Sequence, residues 1–383
     1  MSTDSRPIYE RIFESLRDEI IQRKYNVGER VPSEKELADA YQVSRITSKK
    51  ALEMLAEEGL IVRKPGKGSF VAEGGESLLE GMSSNERSRH TMIGLIMTDF
   101  GNTFGTEMIY GMERASAEHD SFLVLRRSFG IPENEEKAIR ALLDLGVDGI
   151  IVLPAQGEFY NAEILKLVIQ QFPLVLVDRH LKGVAAASIC SDHISAARTG
   201  TDYLLDLGHS QICLLTPPPM DTTAVEDRIE GFVRAHAERG VIVDRSLWID
   251  EITSTLPNSF HQPKIDQDIS MIKEHLRKNP QITALFAIEY NIALLAKAAV
   301  EQMGLNIPED ISIICFDSPP TTLGSGYRFT HLIQAEEEIG KLAVEHVLKL
   351  KRGEKVANKI SLAAKLIVGE STGPLKSSGH EPA

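Results

Sequence analysis

The chain has 383 residues, which is more than one ordinary hydrophobic core needs and predicts two or three domains. Its formal net charge of −13 argues against a protein that binds nucleic acid over its whole surface. The charge is uneven, because residues 1–71 hold 13 Lys and Arg against 12 Asp and Glu, whereas the other 312 residues hold 29 against 43. Only the first segment is therefore expected to approach phosphate groups.

The first 71 residues predict three helices followed by a hairpin. An apolar stripe indicates a helix over residues 6–24, and Ser33 with Glu36 forms a capping box for a second helix. Ser44 caps a third helix that ends at Gly59, and strands at 60–64 and 69–71 enclose a basic, glycine-containing tip. This order predicts a winged helix, an α+β domain whose third helix enters the major groove of DNA.

Hydrogen-bonding side chains cluster on the third helix and on the hairpin tip. Arg45 can hold a guanine edge in two hydrogen bonds or clamp a phosphate, and both options stay open beside the alternative of solvated surface charges. The candidate DNA contacts are Ser33, Glu34, Ser44, Arg45, Thr47, Ser48, Lys49, Lys50, Arg63, Gly66, Lys67 and Gly68.

Residues 72–90 are rich in Gly, Ser and charge and predict a linker, and residues 371–383 predict a frayed tail. Between them, over residues 91–370, short apolar runs alternate with helical patterns, with a less regular insertion at 251–265. Such alternation predicts an α/β domain of two doubly wound, parallel-sheet subdomains. Ligands bind such sheets at the carboxyl ends of the strands.

Several side chains suited to a polyol follow the predicted strands. Asp178, Arg179 and Asp317 come directly after buried runs, Arg228 opens a helix, and Phe104 lies in the loop after the first strand of this domain. Carboxylates and guanidinium groups hold pairs of hydroxyls, and an aromatic ring covers the C–H face of a sugar. The alternatives are an internal Asp178–Arg179 ion pair and a core position for Phe104.

Residues 7–71 resemble the gluconate-repressor (GntR) family of winged-helix regulators. The resemblance rests on Pro32-Ser33-Glu34, Val43-Ser44-Arg45, Thr47, Lys50-Ala51-Leu52, Gly59-Leu60 and Gly66-x-Gly68-Ser69-Phe70-Val71. It implies a homodimer that reads a pseudo-palindromic operator, with Ser33, Glu34, Arg45, Thr47 and Gly66 at the DNA. Lys50 and Ser69 depart from the usual Arg and Thr of the family.

Residues 91–370 resemble the effector domain of the lactose-repressor (LacI/GalR) family, which is related to periplasmic sugar-binding proteins. The segments Ile93-Gly94-Leu95-Ile96, Asp148-Gly149-Ile150-Ile151-Val152, Leu207-Gly208-His209 and Ile307-Pro308-Glu309-Asp310-Ile311-Ser312 carry it. Together the two parts resemble the arabinose-repressor architecture.

This second resemblance implies a small sugar-like effector bound between the subdomains. The candidate ligand-binding residues are Phe104, Asp178, Arg179, Asp192, Arg228, Glu289, Tyr290, Asp317 and Gln334. Glu289-Tyr290 stands where the family usually has Asn-Asp, and Ala335 replaces a common Pro, so the pocket is not the standard one. Asp192 has a second interpretation as a helix cap only.

Other functional classes find less support in the sequence. Cys190, Cys213 and Cys315 lie in apolar runs without metal-ligand spacing, so we expect buried thiols, no disulfide, no metal and no cofactor. The sequence has neither the motifs of an α/β enzyme nor the secretion signal of a transport protein. We therefore expect a cytoplasmic regulator that binds no membrane, with a ligand-free dimerisation scaffold as the main alternative for the large domain.

Overall fold

The computed structural model describes residues 7–21, 24–64, 67–72, 90–155, 161–218, 222–257, 259–319 and 327–376. The chain divides into two compact units, residues 1–90 and 91–383. Most of the predicted linker, residues 73–89, and the predicted DNA contact Gly66 lie outside the described residues.

The first unit has the predicted three helices and hairpin. They are α1 (Ile8–Ile21), α2 (Glu34–Tyr41), α3 (Arg45–Glu57), β1 (Ile61–Lys64) and β2 (Gly68–Val71). The Ser33 hydroxyl accepts from the Glu36 amide and the Glu36 carboxylate accepts from the Ser33 amide, which confirms the capping box. Ser44 likewise caps α3 at the Thr47 amide. Apolar residues of all three helices and both strands then form one small core.

The second unit contains two parallel sheets. The strands of the first sheet are β3 (Thr91–Met97), β4 (Ser121–Arg127), β5 (Gly149–Val152), β6 (Leu174–Val177), β7 (Ala187–Ser191) and β12 (Lys359–Leu362). They lie in the order β12-β7-β6-β5-β3-β4 and all pair in parallel. The surrounding helices are α4 (Thr106–Glu118), α5 (Pro132–Leu145), α6 (Ala162–Ile169) and α11 (Glu336–Lys351). We call this assembly the first subdomain.

The second subdomain is built around the other sheet. Its strands are β8 (Ile212–Leu215), β9 (Ala284–Ala287), β10 (Ser312–Phe316), β11 (Thr330–Ile333) and β13 (Lys365–Ile367), and its helices are α7 (His193–Asp206), α8 (Thr223–Glu238), α9 (Gln262–Lys278) and α10 (Tyr290–Gln302). The order is β13-β11-β10-β9-β8, with only β13 antiparallel to its neighbour. The central strands are buried on both faces, as their continuous apolar runs predict.

The chain crosses between the two subdomains three times. It passes from β7 to α7, from β11 to α11, and from β12 to β13. Each subdomain is therefore discontinuous in sequence, and its sheet is completed by a strand from the end of the chain. The apolar pattern predicts the strands as far as Phe316, whereas the elements after it were not predicted.

The prediction of a frayed tail from residue 371 is wrong for its first residues. Ser371 is fully buried, and its hydroxyl accepts from the Thr330 amide at 2.8 Å. The Gly373 carbonyl bonds the buried ring of His209 at 2.9 Å. Small polar residues indicate a tail by composition, but here their hydrogen bonds hold the segment against the second sheet. Residues 377–383 lie outside the described part of the chain.

Helices α4 and α11 cross with their backbones in contact. A Cβ atom on Gly340 would lie 2.0 Å from the Met108 carbonyl oxygen, and one on Gly111 would lie 2.0 Å from that of Glu337. Only glycine therefore fits at the crossing.

We expect Gly340→Ala to lower the free energy of unfolding by about 1–3 kcal/mol, because the new methyl group forces the helices apart. Urea unfolding of the full chain measures the change. The matched control is Gly101→Ala, where a Cβ meets nothing within 4 Å. Equal unfolding midpoints for the two variants would contradict the close crossing.

Candidate functional site

The N-terminal turn of α3 presents an exposed set of side chains. Arg45 and Ile46 point into solvent, and Ile46 is 80% exposed, an unusual environment for a large apolar residue. The hydroxyls of Ser44 and Thr47 lie 2.9 Å apart at the helix start. The sequence analysis overlooked Ile46 because it considered only hydrogen-bonding side chains.

Ser48 cannot belong to this surface, so its prediction as a DNA contact is wrong. Its side chain is fully buried, and its hydroxyl donates to the Glu34 carbonyl oxygen at 2.8 Å and to that of Arg45 at 3.2 Å. The residue fixes α3 against α2. The signal was present in the sequence, since Ser48 shares a helix face with Ala51, Leu52 and Leu55 at spacings of three, four and seven residues.

The hairpin is tied to the helices by charged contacts. Arg63 pairs with Glu34 on α2 and lies 3.4 Å from the Glu53 carboxylate on α3. Gly68 has a φ of 110°, a conformation that favours glycine, and it packs against the Arg30 side chain. Two predicted DNA contacts thus already hold each other, and Arg30 joins the same surface.

The lysines of this unit differ in their environments. The Lys50 ammonium lies 3.7 Å from the centroid of the Tyr9 ring, and that of Lys64 lies 5.0 Å from the Phe70 ring. Lys49 lies 3.6 Å from the Glu53 carboxylate. Lys67 is exposed. The aromatic rings hold Lys50 and Lys64 in place while their charge stays at the surface.

A cavity of about 470 Å³ opens between the two subdomains of the second unit. Seven of the nine predicted ligand-binding residues line it, namely Phe104, Asp178, Arg179, Arg228, Glu289, Tyr290 and Asp317. They come from the carboxyl ends of β3, β6, β9 and β10 and from α8 and α10. The rule that ligand sites lie at these strand ends thus places the cavity correctly.

Asp192 and Gln334 are not among the described residues that line the cavity. The Asp192 carboxylate accepts from the Ser195 amide at 3.0 Å, which is the alternative interpretation as a helix cap. Gln334 is buried behind Asp317. Its amide group donates to both carboxylate oxygens of Asp317 at 3.0 Å, and its oxygen accepts from Ser191 at 2.7 Å. Gln334 therefore positions a cavity residue and joins the two subdomains.

Arg228 is held by three contacts at the floor of the cavity. Its guanidinium donates to the Ile288 carbonyl oxygen at 2.6 Å and lies 3.9 Å from the centroid of the Phe316 ring. It also donates to Nδ1 of His193 at 3.3 Å, so the proton of that ring resides on Nε2, which faces the Asp178 carbonyl oxygen. His193, which the sequence analysis did not identify, thus links Arg228 to the Asp178 backbone across the cleft.

Asp178 and Asp317 occupy equivalent positions in the two subdomains. Each follows a central strand and adopts a left-handed backbone, with φ values of 64° and 60°. This conformation is uncommon outside glycine and is concentrated at functional sites. The predicted Asp178–Arg179 ion pair is present, with Oδ2 and Nε 3.5 Å apart, and both residues still line the cavity.

The cavity wall contains buried polar atoms without a hydrogen-bond partner in the described chain. They are Oδ1 of Asp178, Nε of Arg179, Oγ1 of Thr222 and Oε1 of Glu289. A buried polar group that stays unpaired costs about 1–3 kcal/mol. Four such atoms around one cavity are therefore suited to a ligand rich in hydroxyl groups.

Burial makes the carboxyl groups of this region weak acids. It raises the pKa of Asp317 to about 7, although the nearby Arg228 charge and the Gln334 hydrogen bond oppose the shift. Burial and the charge of Asp317 raise the pKa of Glu336 to about 8. The Glu336 carboxylate accepts from the Gly105 amide at 2.7 Å, beside the Phe104 loop. The pKa values of Asp178 and Glu289 are raised by burial as well.

Metal and membrane features were sought in the same described residues. None of them forms a group of three or more His, Cys, Asp and Glu side chains able to hold a metal ion. Among the helices that the structure describes, none is both long enough and apolar enough to cross a membrane.

Comparison with known proteins covers both units. Residues 8–71 match the family of bacterial regulatory proteins called the gntR family, and residues 201–372 match the periplasmic binding protein-like domain. The chain joins a GntR-type helix-turn-helix domain to a periplasmic-binding-protein-like domain. It is a ligand-responsive DNA-binding regulator.

Relatives of this regulator share the whole arrangement. It is 26% identical to the arabinose metabolism transcriptional repressor of Halalkalibacterium halodurans, over 91% of this chain and 92% of the relative. It is 24% identical to the repressor of the same name from Geobacillus stearothermophilus, over 97% and 99%. A LacI family regulator from Enterococcus faecium, solved with bound ribose, matches 75% of this chain and 100% of its own with a TM-score of 0.61 at 23% identity, which shows the fold.

The raised pKa values predict how stability changes with pH. Between about pH 5 and 8 the folded regulator keeps protons on Asp317 and Glu336 that the unfolded chain has lost, so stability falls as pH rises through this range. Each such group contributes a slope of up to about 1.4 kcal/mol per pH unit. Glu336→Gln keeps an acceptor for the Gly105 amide and should flatten the decline.

The measurement is urea unfolding of wild type and Glu336→Gln from pH 6 to pH 8.5. Burial lowers the pKa of His193 and other histidines, which gives the opposite slope, so the difference between the two proteins is the quantity to compare. Parallel curves for the two proteins would show that Glu336 ionises normally.

Proposed function

We propose that this regulator is a repressor that binds a pseudo-palindromic operator as a dimer and releases it when a small sugar-like polyol enters the cleft. The observation that carries the proposal is the set of unpaired, buried polar atoms around the cavity between the subdomains. A ligand-free scaffold would leave these groups without compensation. The ribose bound to the Enterococcus faecium regulator of the same fold supports a sugar.

The charges of the cavity favour an uncharged polyol over a sugar phosphate. Asp99, Asp178, Glu289 and Asp317 outnumber the two guanidinium groups in the described wall. Arg228 is already committed to His193 and Ile288, and Arg179 donates to the Pro154 carbonyl oxygen at 3.1 Å. A phosphate would therefore meet excess negative charge, whereas hydroxyl groups can donate to the carboxylates.

Ligand binding would act through closure of the cleft. Asp178 belongs to the first subdomain and Asp317 to the second, so hydroxyls that bind both draw the subdomains together. In a dimer this movement changes the separation of the two winged helices, with a coupling free energy of typically about 1–3 kcal/mol. The same arrangement argues against an enzyme, because Nδ1 of His193 accepts from Arg228 and does not face a nucleophile.

A thermal-shift screen of the purified chain against pentoses, hexoses, deoxy-sugars, disaccharides, sugar phosphates and purines tests the effector site. A ligand at 100 times its Kd adds about 2.7 kcal/mol of apparent stability. Operator release is then measured by fluorescence anisotropy. Asp317→Asn should abolish the response, because it removes one acceptor from the cavity while it can still accept from Gln334.

The matched control is Asp192→Asn, which retains an equally good helix cap outside the cavity and should respond like wild type. A full effector response in Asp317→Asn would refute this site. No hit across the screen would favour the ligand-free scaffold.

The DNA-binding surface yields a second test. We propose that Arg45 reads a guanine and that exposed Ile46 packs on a thymine methyl group. On a duplex selected from a random pool by the full chain, Arg45→Ala should cost about 1–3 kcal/mol and relax base preference at one position. Ile46→Ala should cost about 1 kcal/mol.

Replacement of each thymine in turn by deoxyuridine removes one methyl group and locates the Ile46 contact. At that position the substitution should weaken wild type but not Ile46→Ala. Ile8→Ala, at an exposed position of α1, serves as the control. Equal sensitivity of wild type and Ile46→Ala to every deoxyuridine would show that Ile46 does not read a base, and a uniform loss over all sequences would make Arg45 a phosphate contact.

A further inference from the structure

The open side of the cavity is aromatic, whereas its floor is charged. Asp178, Arg228 and Asp317 are only 5–8% exposed and mark the closed end. Phe129 and Phe260 line the same cavity but are 40% and 58% exposed, so they stand at its entrance. Single exposed apolar side chains are ordinary, but two large rings on one cavity that opens between subdomains form a specific surface.

The two rings come from opposite sides of the cleft. Phe129 lies between β4 and α5 in the first subdomain, and Phe260 lies just before α9 in the second. The loops that carry them meet, because a Cβ atom on Gly130 would lie 2.6 Å from Cγ of Pro257. The irregular insertion predicted at 251–265 thus forms one wall of the entrance.

Charged contacts hold both loops in place. The Arg127 guanidinium lies 4.5 Å from the centroid of the Phe129 ring and donates to the Asp99 carboxylate at 3.1 Å. On the other side, the buried carboxylate of Asp268 accepts from the Thr253 and Ser254 amides at 3.1 and 2.7 Å. Phe129 also adopts a left-handed backbone with a φ of 57°, a cost that a structure accepts where a side chain must be aimed.

We propose that the cavity takes a two-ring ligand, in which a polyol ring lies at the charged floor and a second ring lies against Phe129 and Phe260. The inference rests on the proposed function and names the class of effector for the same site. Aromatic side chains stack on flat, apolar faces, which the C–H side of a sugar and the face of an aromatic group both provide. The shared chemistry is a polyol ring that carries a second ring, as in a disaccharide, an aryl glycoside or a nucleoside.

The experiment compares one-ring and two-ring probes on the full chain by isothermal titration. The one-ring probes are glucose, galactose, arabinose and ribose, and the two-ring probes are cellobiose, maltose, lactose, nitrophenyl glucoside and adenosine. We expect the tightest binder to have two rings, and its identity separates the three chemical sources. Phe260→Ala and Phe129→Ala should each raise its Kd about 3- to 10-fold and leave the Kd of its one-ring counterpart within twofold.

Phe122→Ala is the matched control, because Phe122 is 55% exposed on strand β4 and is not among the described cavity residues. It should leave both Kd values unchanged, and the unfolding temperatures of all three variants confirm that they fold. One-ring probes that bind as tightly as two-ring probes, with no effect of Phe260→Ala, would overturn the inference and leave the proposed function intact. Failure of every probe to bind would overturn both.

Discussion

The second unit depends on a balance at the ends of two strands, where carboxylates are buried but only partly satisfied. Asp178 and Asp317 each have one principal protein partner, Arg179 and Gln334 respectively. A fully paired carboxylate would have no acceptor left for a ligand, and an unpaired one would be too costly to bury. The intermediate state gives a cleft whose polar groups are more stable with hydroxyls between them than without.

The connection between the subdomains follows from the same groups. Gln334 lies on the second crossing of the chain and bonds Asp317 in one subdomain and Ser191 in the other. Glu336, two residues later, accepts from the Gly105 amide at the start of α4. A change in the charge or position of Asp317 therefore acts directly on the segment about which the subdomains rotate. Small shifts become subdomain movements because the packed elements on both sides, such as the α4–α11 crossing, do not deform.

Local chemistry explains how much of this could be predicted from the sequence. The caps at Ser33 and Ser44 depend on neighbouring residues, so the helices of the first unit were placed to within a few residues. Apolar runs predicted the parallel strands, and the strand-end rule placed Asp178 and Asp317 in one cavity. The exclusions had other causes. Ser48 failed because its helix face was ignored, and the assignment of Gln334 to the ligand came from resemblance, whereas its buried position behind Asp317 is set by tertiary packing.

Contacts distant in sequence were beyond prediction. The link from Arg228 through His193 to the Asp178 backbone joins segments that are brought together only by the crossing after β7. Serine and glycine near residue 371 have the composition of a tail, and only the fold shows that Ser371 completes a buried set of hydrogen bonds. Sequence patterns therefore located the cavity, but they did not reveal the contacts that position its residues.

The threefold crossing has a consequence for the order in which the protein is made. Strands β12 and β13 come from the last part of the chain and form one edge of each sheet, and the segment at Ser371 closes the second core. During translation, neither subdomain can be completed until almost the whole polypeptide has left the ribosome. The winged helix, complete by residue 72, can fold long before that. A newly made chain thus acquires a DNA-binding surface before it has a cavity that can respond to a ligand.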